Sequence, residues 1–475
     1  MYLDSGRSGF GIGWVWTVAA AGIALIGCGA TKTVDTTTPT TPQAPAVWPV
    51  ENITYGAANG ILESPVVGTT TDESQNLWVA THQALYLLHA GESRFRRLAA
   101  GDGLHLPGNP VSYCDRDFAG GDRACPIYGA AADPGISEIV GGGPNEVFVG
   151  YYGDERGSGD WSDPGRHTGK VDRVRLQSNQ TLQVDRFDLV LGVTVEFWHN
   201  RTVQRMIFDH SLHAHELYVG TNHGVDLIRP DRYRQPRPGE WFNDANKEWM
   251  SDHLHPPVCY HQTCPDNGSN QLLGDWRGLA LAPDGNLWVA GRWTAGKIRW
   301  DADLFDWSAR PGHLAFEFAF GNPYPSPATG PFVNEPVFRP PMEGDPVSLS
   351  AVSVATDGRV WFSSGPVYTG AQDIPYGVAV WDGQTFRIFD PVAQIGMAER
   401  TVRDLIALPD GRIVLAAPHS GLVLWDPASG AHQSLRAPAW LADDNVQRME
   451  LDKMVTPPAL HVSTETGATV IRLLP

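Results

Sequence analysis

Seven times along this chain a four-residue segment of one pattern recurs: apolar, then mostly aromatic, then apolar, then small. The copies are Leu77-Trp78-Val79-Ala80, Val147-Phe148-Val149-Gly150, Leu217-Tyr218-Val219-Gly220, Leu287-Trp288-Val289-Ala290, Val360-Trp361-Phe362-Ser363, Ile413-Val414-Leu415-Ala416 and Leu460-His461-Val462-Ser463. Short apolar runs of this kind read as buried β-strands. A unit of this size cannot bury its hydrophobic face alone, so it must stack against copies of itself. The repeat therefore outranks length as a constraint: one array can use a chain of 475 residues, which need not hold several domains.

The flanks repeat too. Before a copy come turn residues such as Ala282-Pro283-Asp284-Gly285-Asn286, Ala355-Thr356-Asp357-Gly358-Arg359 and Leu408-Pro409-Asp410-Gly411-Arg412. Pro and Asp-Gly at such places make tight reversals. After a copy come a turn and another strand, as in Gly421-Leu422-Val423-Leu424-Trp425, and then a weaker one such as Thr385-Phe386-Arg387-Ile388-Phe389. Four antiparallel strands per unit make a propeller blade. The intervals between copies fall from about 70 residues to about 50, whereas a blade needs about 40 to 45, so no eighth blade is hidden. The fold expected is all-β: a seven-bladed β-propeller of four-stranded antiparallel blades over 51–475. The last blade lacks an outer strand, and Glu51-Asn52-Ile53-Thr54-Tyr55 is an unassigned strand-like piece. An N-terminal strand that completes the last blade closes the ring and removes its open edges.

Blocks such as Pro283-Asp284-Gly285-Asn286-Leu287-Trp288-Val289-Ala290 and Thr221-Asn222-His223-Gly224-Val225 resemble the two-component-regulator propeller family and, more distantly, streptogramin-lyase-like propellers. The resemblance implies the fold. The lyase-like propellers place acid–base His and Glu at the channel mouth, and Ser463-Thr464-Glu465-Thr466-Gly467 is similar to their post-strand turn. His82, His223 and His419 stand at similar places without the surrounding pattern.

The N-terminus reads as an address. Trp14 to Ile26 is an apolar run too short to span a bilayer comfortably and suited to a secretory core. It ends at Leu25-Ile26-Gly27-Cys28, which resembles a bacterial lipoprotein signal. That implies a signal peptide over 1–27, lipidation of Cys28 and anchorage in the membrane. Gly29 follows where an Asp would argue for retention at the inner membrane, so the outer membrane or cell surface is implied. A Thr- and Pro-rich linker occupies 28–50. Lys and Arg number 35 against 53 Asp and Glu, a net charge of −18. Such a chain repels phosphate backbones, so nucleic acid is excluded as a partner.

Label the strands of a blade a to d from the channel outward, the recurring copy being b. The b–c turns and the d-to-a connections then open on one face, the a–b and c–d turns on the other. The residues that seven minimal blades do not need fall at about 100–136, 189–201, 230–276 and 309–349 between blades, and at 151–169 and 364–375 after strand b. On this reading all lie on one face, where loops held by a rigid scaffold carry binding. The b–c turns there supply His82, Tyr151, Tyr152, His223, Arg292, Trp293, His419 and Glu465, a set suited to a polar ligand or peptide.

Cys28 aside, four Cys remain, an even number in an exported chain. Cys114 with Cys125 and Cys259 with Cys264 are the local disulfide pairs; the two cross-pairings would tie both loops together. His253, His255, Cys259, His261 and Cys264, with Asp252, are also zinc-type ligands within a short stretch. A second cluster, His210, His213 and His215, falls in an a–b turn and reads as solvated. Asp154, Asp160 and Asp163 offer oxygen ligands without the spacing of a known Ca²⁺ loop. No cofactor is expected.

These readings point to a monomeric, lipid-anchored envelope protein whose propeller binds an envelope protein, peptide or polysaccharide. Two alternatives stay open. One is a propeller enzyme, a lyase or sugar-acting hydrolase, using His and Glu at the channel mouth. The other is an extracytoplasmic sensor module that works through a separate signalling partner.

Overall fold

A computed structural model describes residues 47–104, 135–151, 170–188, 203–212, 215–221, 225–231, 252–254, 276–291, 295–298, 316–320, 349–364, 377–384 and 386–474. Cys28, Cys114, Cys125, Cys259, Cys264, Tyr152, Asp154, Asp160, Asp163, His213, His223, His255, His261, Arg292 and Trp293 lie outside the described residues. Among the described residues, no helix is long and apolar enough to cross a membrane.

The chain forms seven four-stranded antiparallel sheets. Strand β1 (Val50–Tyr55) comes first and belongs to the last sheet. Blade one holds β2 (Val66–Thr71), β3 (Leu77–Thr81), β4 (Leu85–Leu88) and β5 (Arg96–Leu98). Blade two holds β6 (Ile136–Gly141), β7 (Glu146–Tyr151), β8 (Lys170–Leu176) and β9 (Leu182–Asp188). Blade three holds β10 (Val203–Asp209), β11 (Glu216–Thr221), β12 (Val225–Ile228) and β13 (Asp252–Leu254). Blade four holds β14 (Gly278–Leu281), β15 (Leu287–Ala290), β16 (Ala295–Ile298) and β17 (Phe316–Phe320). Blade five holds β18 (Leu349–Val354), β19 (Val360–Ser364), β20 (Val378–Trp381) and β21 (Phe386–Phe389). Blade six holds β22 (Asp404–Ala407), β23 (Ile413–Ala417), β24 (Gly421–Trp425) and β25 (His432–Leu435). Blade seven holds β26 (Val446–Asp452), β27 (Ala459–Thr464) and β28 (Ala468–Leu473). Every copy of the sequence repeat falls on a second strand, as expected.

Closure also follows the expectation. β1 pairs antiparallel with β28 from Val50↔Leu473 to Tyr55↔Ala468. The first strands of consecutive blades touch in turn around the ring, with β2 meeting both β6 and β26. Seven hydrophobic clusters result, one at each blade interface.

The repeat's pattern has a physical reading. Its aromatic position faces the next blade: Trp78 packs with Ile136 and Ile139, and Trp361 with Leu405 and Trp425. Its small last position lies where the next blade comes close. A Cβ on Gly220 would sit 2.3 Å from the Trp276 carbonyl oxygen, and one on Gly150 would sit 2.5 Å from Val203 Cγ1. The Asp-Gly turns also need their glycine, because Gly285 at φ 83° occupies left-handed space that side chains rarely adopt.

Two boundaries differ from expectation. The insertions expected between blades at 230–276 and 309–349 are each divided by an outer strand. β13 pairs with β12, and β17 with β16. The connections from β12 to β13 and from β16 to β17 are therefore c-to-d connections, whose strand ends lie on the opposite face. The long connections are not all on one face. The reason is that outer strands are placed by hydrogen bonds to a neighbour: β13 is the short polar run Asp252-His253-Leu254, with no alternation to betray it.

Candidate functional site

Four of the eight b–c turn candidates are described, and their positions differ. His82 closes a turn against blade two: its Nδ1 lies 3.0 Å from the Ile136 carbonyl oxygen, and its own carbonyl accepts from Ile136 N–H at 2.9 Å. Tyr151 is the last residue of β7 and is fully buried, donating its hydroxyl to Asp172 Oδ2 at 2.6 Å. It belongs to the interface between blades one and two and not to a turn at the channel mouth. His419 is exposed; its N–H donates to Glu399 Oε1 at 2.9 Å, and its carbonyl accepts from Arg436 Nη2 at 3.3 Å. Glu465 is part-buried and accepts from Gln447 Nε2 at 3.1 Å and Asn445 Nδ2 at 3.4 Å; Asn445 Oδ1 in turn accepts from Arg403 Nη1 at 2.8 Å. The hydrogen bonds described for these four run to other partners and not to one another.

Of the remaining histidines, His253 sits within β13, its backbone paired with Asp226. His210 and His215 meet Glu73 from blade one, with His210 Nδ1 and His215 Nε2 at 3.0 and 3.8 Å from Glu73 Oε1. His215 also comes within 4.0 Å of Asp231. This turn is thus tied to a carboxylate of another blade. Among the described residues, no group of three or more His, Cys, Asp or Glu side chains is arranged to hold a metal ion.

The densest chemistry lies in the channel, on residues that the repeat does not single out. Five first strands carry a register shift at their second residue: Val66/Gly68, Ile136/Glu138, Val203/Arg205, Leu349/Ala351 and Val446/Arg448. Such a bulge re-aims the side chain that follows it. In blades two, three and seven that residue is charged: Glu138, Arg205 and Arg448. Arg205 reaches Asp404 Oδ2 in blade six at 3.1 Å and the Met449 carbonyl in blade seven at 3.0 Å. Arg448 reaches Glu138 Oε2 in blade two at 2.7 Å and the Gln204 carbonyl in blade three at 2.7 Å. Two guanidinium groups therefore cross the channel in opposite directions.

Two arginines face three carboxylates there, the third being Glu450, which accepts from Thr70 Oγ1 at 2.7 Å. Burial pushes the Glu450 carboxyl up to about 8, against the pull of Thr70 and Arg205. Burial also raises Glu138, with Arg448 and Arg205 opposing it. Arg205 loses hydration, yet Asp404, Glu138 and Glu450 more than offset that and hold its charge firmly. With Glu450 holding its proton at neutral pH, the two guanidinium groups and their carboxylate partners Asp404 and Glu138 make a cross-link suited to holding blades in place. The sequence signal for it is a charge at the third position of a first strand, twice within the same run Val-Gln-Arg-Met at 203–206 and 446–449.

The chain is similar to the extracellular domain of a hybrid two component system from B. thetaiotaomicron, with TM-score 0.47 and 12% identity over 90% of this chain and 42% of that one. It is similar to YCF48 bound to D1 peptide, with TM-score 0.46 and 10% identity over 92% of this chain and 100% of that one. It is also similar to a catalytically inactive variant of virginiamycin B lyase from Staphylococcus aureus with Quinupristin, with TM-score 0.45 and 8% identity over 90% of this chain and 100% of that one. The likeness is one of fold. No protein-family model and no curated protein matches the sequence.

Proposed function

We propose that this chain is an exported bacterial envelope lipoprotein, anchored through Cys28, whose closed propeller is a rigid scaffold presenting a binding face to a protein, peptide or polysaccharide. One observation carries the reading. The ring is stapled across its centre by Arg205–Asp404 and Arg448–Glu138. The d-to-a connections from β5 to β6, β13 to β14 and β17 to β18, and the b-to-c connections that follow β7 and β19, start and end on strand termini of one face, and each is long. A rigid ring with most of its long connections leaving from one end is how scaffolds display recognition residues. The face keeps this role although the connections from β12 to β13 and from β16 to β17 leave from the other one.

The anchor is tested by metabolic labelling with an alkyne palmitate analogue: the wild-type chain takes up label and Cys28→Ala does not. The face is tested by crosslinking in intact cells and identifying the captured partner. Replacing His223 and Trp293 together with Ala is expected to cut recovery at least tenfold with the melting temperature held. Recovery that survives both changes removes this face from consideration.

A further inference from the structure

The seventh repeat breaks the pattern at its aromatic position. Trp78, Phe148, Tyr218, Trp288 and Trp361 fill the space toward the next blade, and Val414 does so against residues of blade seven. At the equivalent place blade seven has His461, which belongs to none of these clusters. The contrast with blade one is direct. Trp78 is cross-strand from Thr70, and its indole N–H donates to Asp72 Oδ2 at 2.9 Å. His461 is cross-strand from Glu450, so Asp452 stands where Asp72 does. Asp452 instead accepts from Thr71 Oγ1 of blade one at 2.9 Å and from Met454 N–H at 2.7 Å. His461 is 2% exposed, and its Nδ1 has no hydrogen-bond partner.

Beside this orphaned imidazole, at the seam between blades seven and one, lies a cavity of about 340 Å³. It opens on the a–b face, away from the binding face proposed above. His461, Asp452 and Thr71 stand among its polar lining, and Leu77, Leu88 and Val470 among its apolar lining. Glu51, Glu92 and Arg472 are its other charged groups. A buried polar group without a partner calls for a ligand, a water or an ion. The volume is at the small end of the range for ligand sites.

The chemistry selects the ligand. Three carboxylates against one guanidinium disfavour an anion. Burial pulls the His461 imidazole down to about 4, Asp452 opposing, so it is neutral and able to accept a hydrogen bond at neutral pH. A primary ammonium brings three donors, and an alkyl stem suits the apolar walls. We propose that the seam cavity binds a primary alkylammonium group, held by Asp452 and His461, from a lysine side chain or a free amine.

The test uses the full chain with ¹³C-labelled histidine, followed by NMR at pH 7.5. Titration with n-butylamine hydrochloride is expected to shift the His461 ring signals saturably, while n-butanol and sodium butyrate leave them in place. His461→Trp restores the repeat residue, fills the cavity and is expected to abolish saturable binding measured by calorimetry. Asp452→Asn keeps its acceptor for Thr71 and is expected to weaken butylamine at least tenfold. It decides the matter if His461→Trp does not fold. Tighter binding of Nα-acetyl-lysine amide than of butylamine assigns the site to a peptide, and the reverse order to a free amine. Absence of a saturable shift, butyrate binding as well as butylamine, or an unchanged affinity in both variants overturns the proposal.

Discussion

Glu450 and His461 are cross-strand partners with opposite responses to pH. Glu450 has its folded pKa raised, to about 8. The folded state then holds a proton that the unfolded chain releases above about 4.3. The stability this contributes is complete below that value and is lost as pH rises toward 8, at up to about 1.4 kcal/mol per pH unit. Glu450→Gln is expected to flatten urea-measured stability across that window and to be the more stable form at pH 8. His461 behaves the other way. Its folded value is lowered, to about 4. Its contribution is present above about 6.5 and lost as pH falls toward 4. His461→Phe is expected to remove that acid limb of the pH–stability curve. At the same scale Arg205→Leu leaves Asp404, which is 2% exposed, as an uncompensated buried charge, at a cost of about 3–5 kcal/mol. In the Arg205→Leu/Asp404→Leu double variant, denaturation is expected to show most of that loss recovered.

At the scale of the element, the recurring second strand was fully legible because its pattern encodes packing toward the next blade. Gly220 shows how tightly: with a Cβ 2.3 Å from the Trp276 oxygen, blades three and four would have to part. Gly220→Val is expected to cost about 1–3 kcal/mol by denaturant melt, whereas Gly383→Ala, with open space around it, costs only what its φ of 97° imposes. Outer strands were much less legible. β13 looked like part of a metal-ligand cluster, and β17 (Phe316–Phe320) lay inside what read as an inter-blade insertion. Nothing local marks a strand that exists only because a neighbour offers it an edge. Tyr151 was misplaced for a related reason: its position at the end of β7 suited a turn, but its buried hydroxyl bond to Asp172 holds it in the core. The bulges of the first strands, and hence the aim of Glu138, Arg205 and Arg448, depend on the register between two strands.

For the whole molecule, closure decides stability. Removing residues 50–55 strips β1 from β28 and leaves the last blade with an open edge. That truncation is expected to lower the melting temperature and to produce aggregates on size-exclusion chromatography, with the loss concentrated at the interface of blades seven and one. The chain's own sequence determined the number of blades, the identity of the second strands and the use of an N-terminal strand for closure. Periodicity and counting suffice for these, because every blade must bury the same face in the same way. Only the tertiary structure decided which connections join c to d, that two arginines cross the channel, and that His461 stands beside an unfilled seam. The first rests on an outer strand pairing within its own blade; the other two join residues of different blades, brought together by ring closure across hundreds of positions, and a local pattern can mark a charge but not its partner.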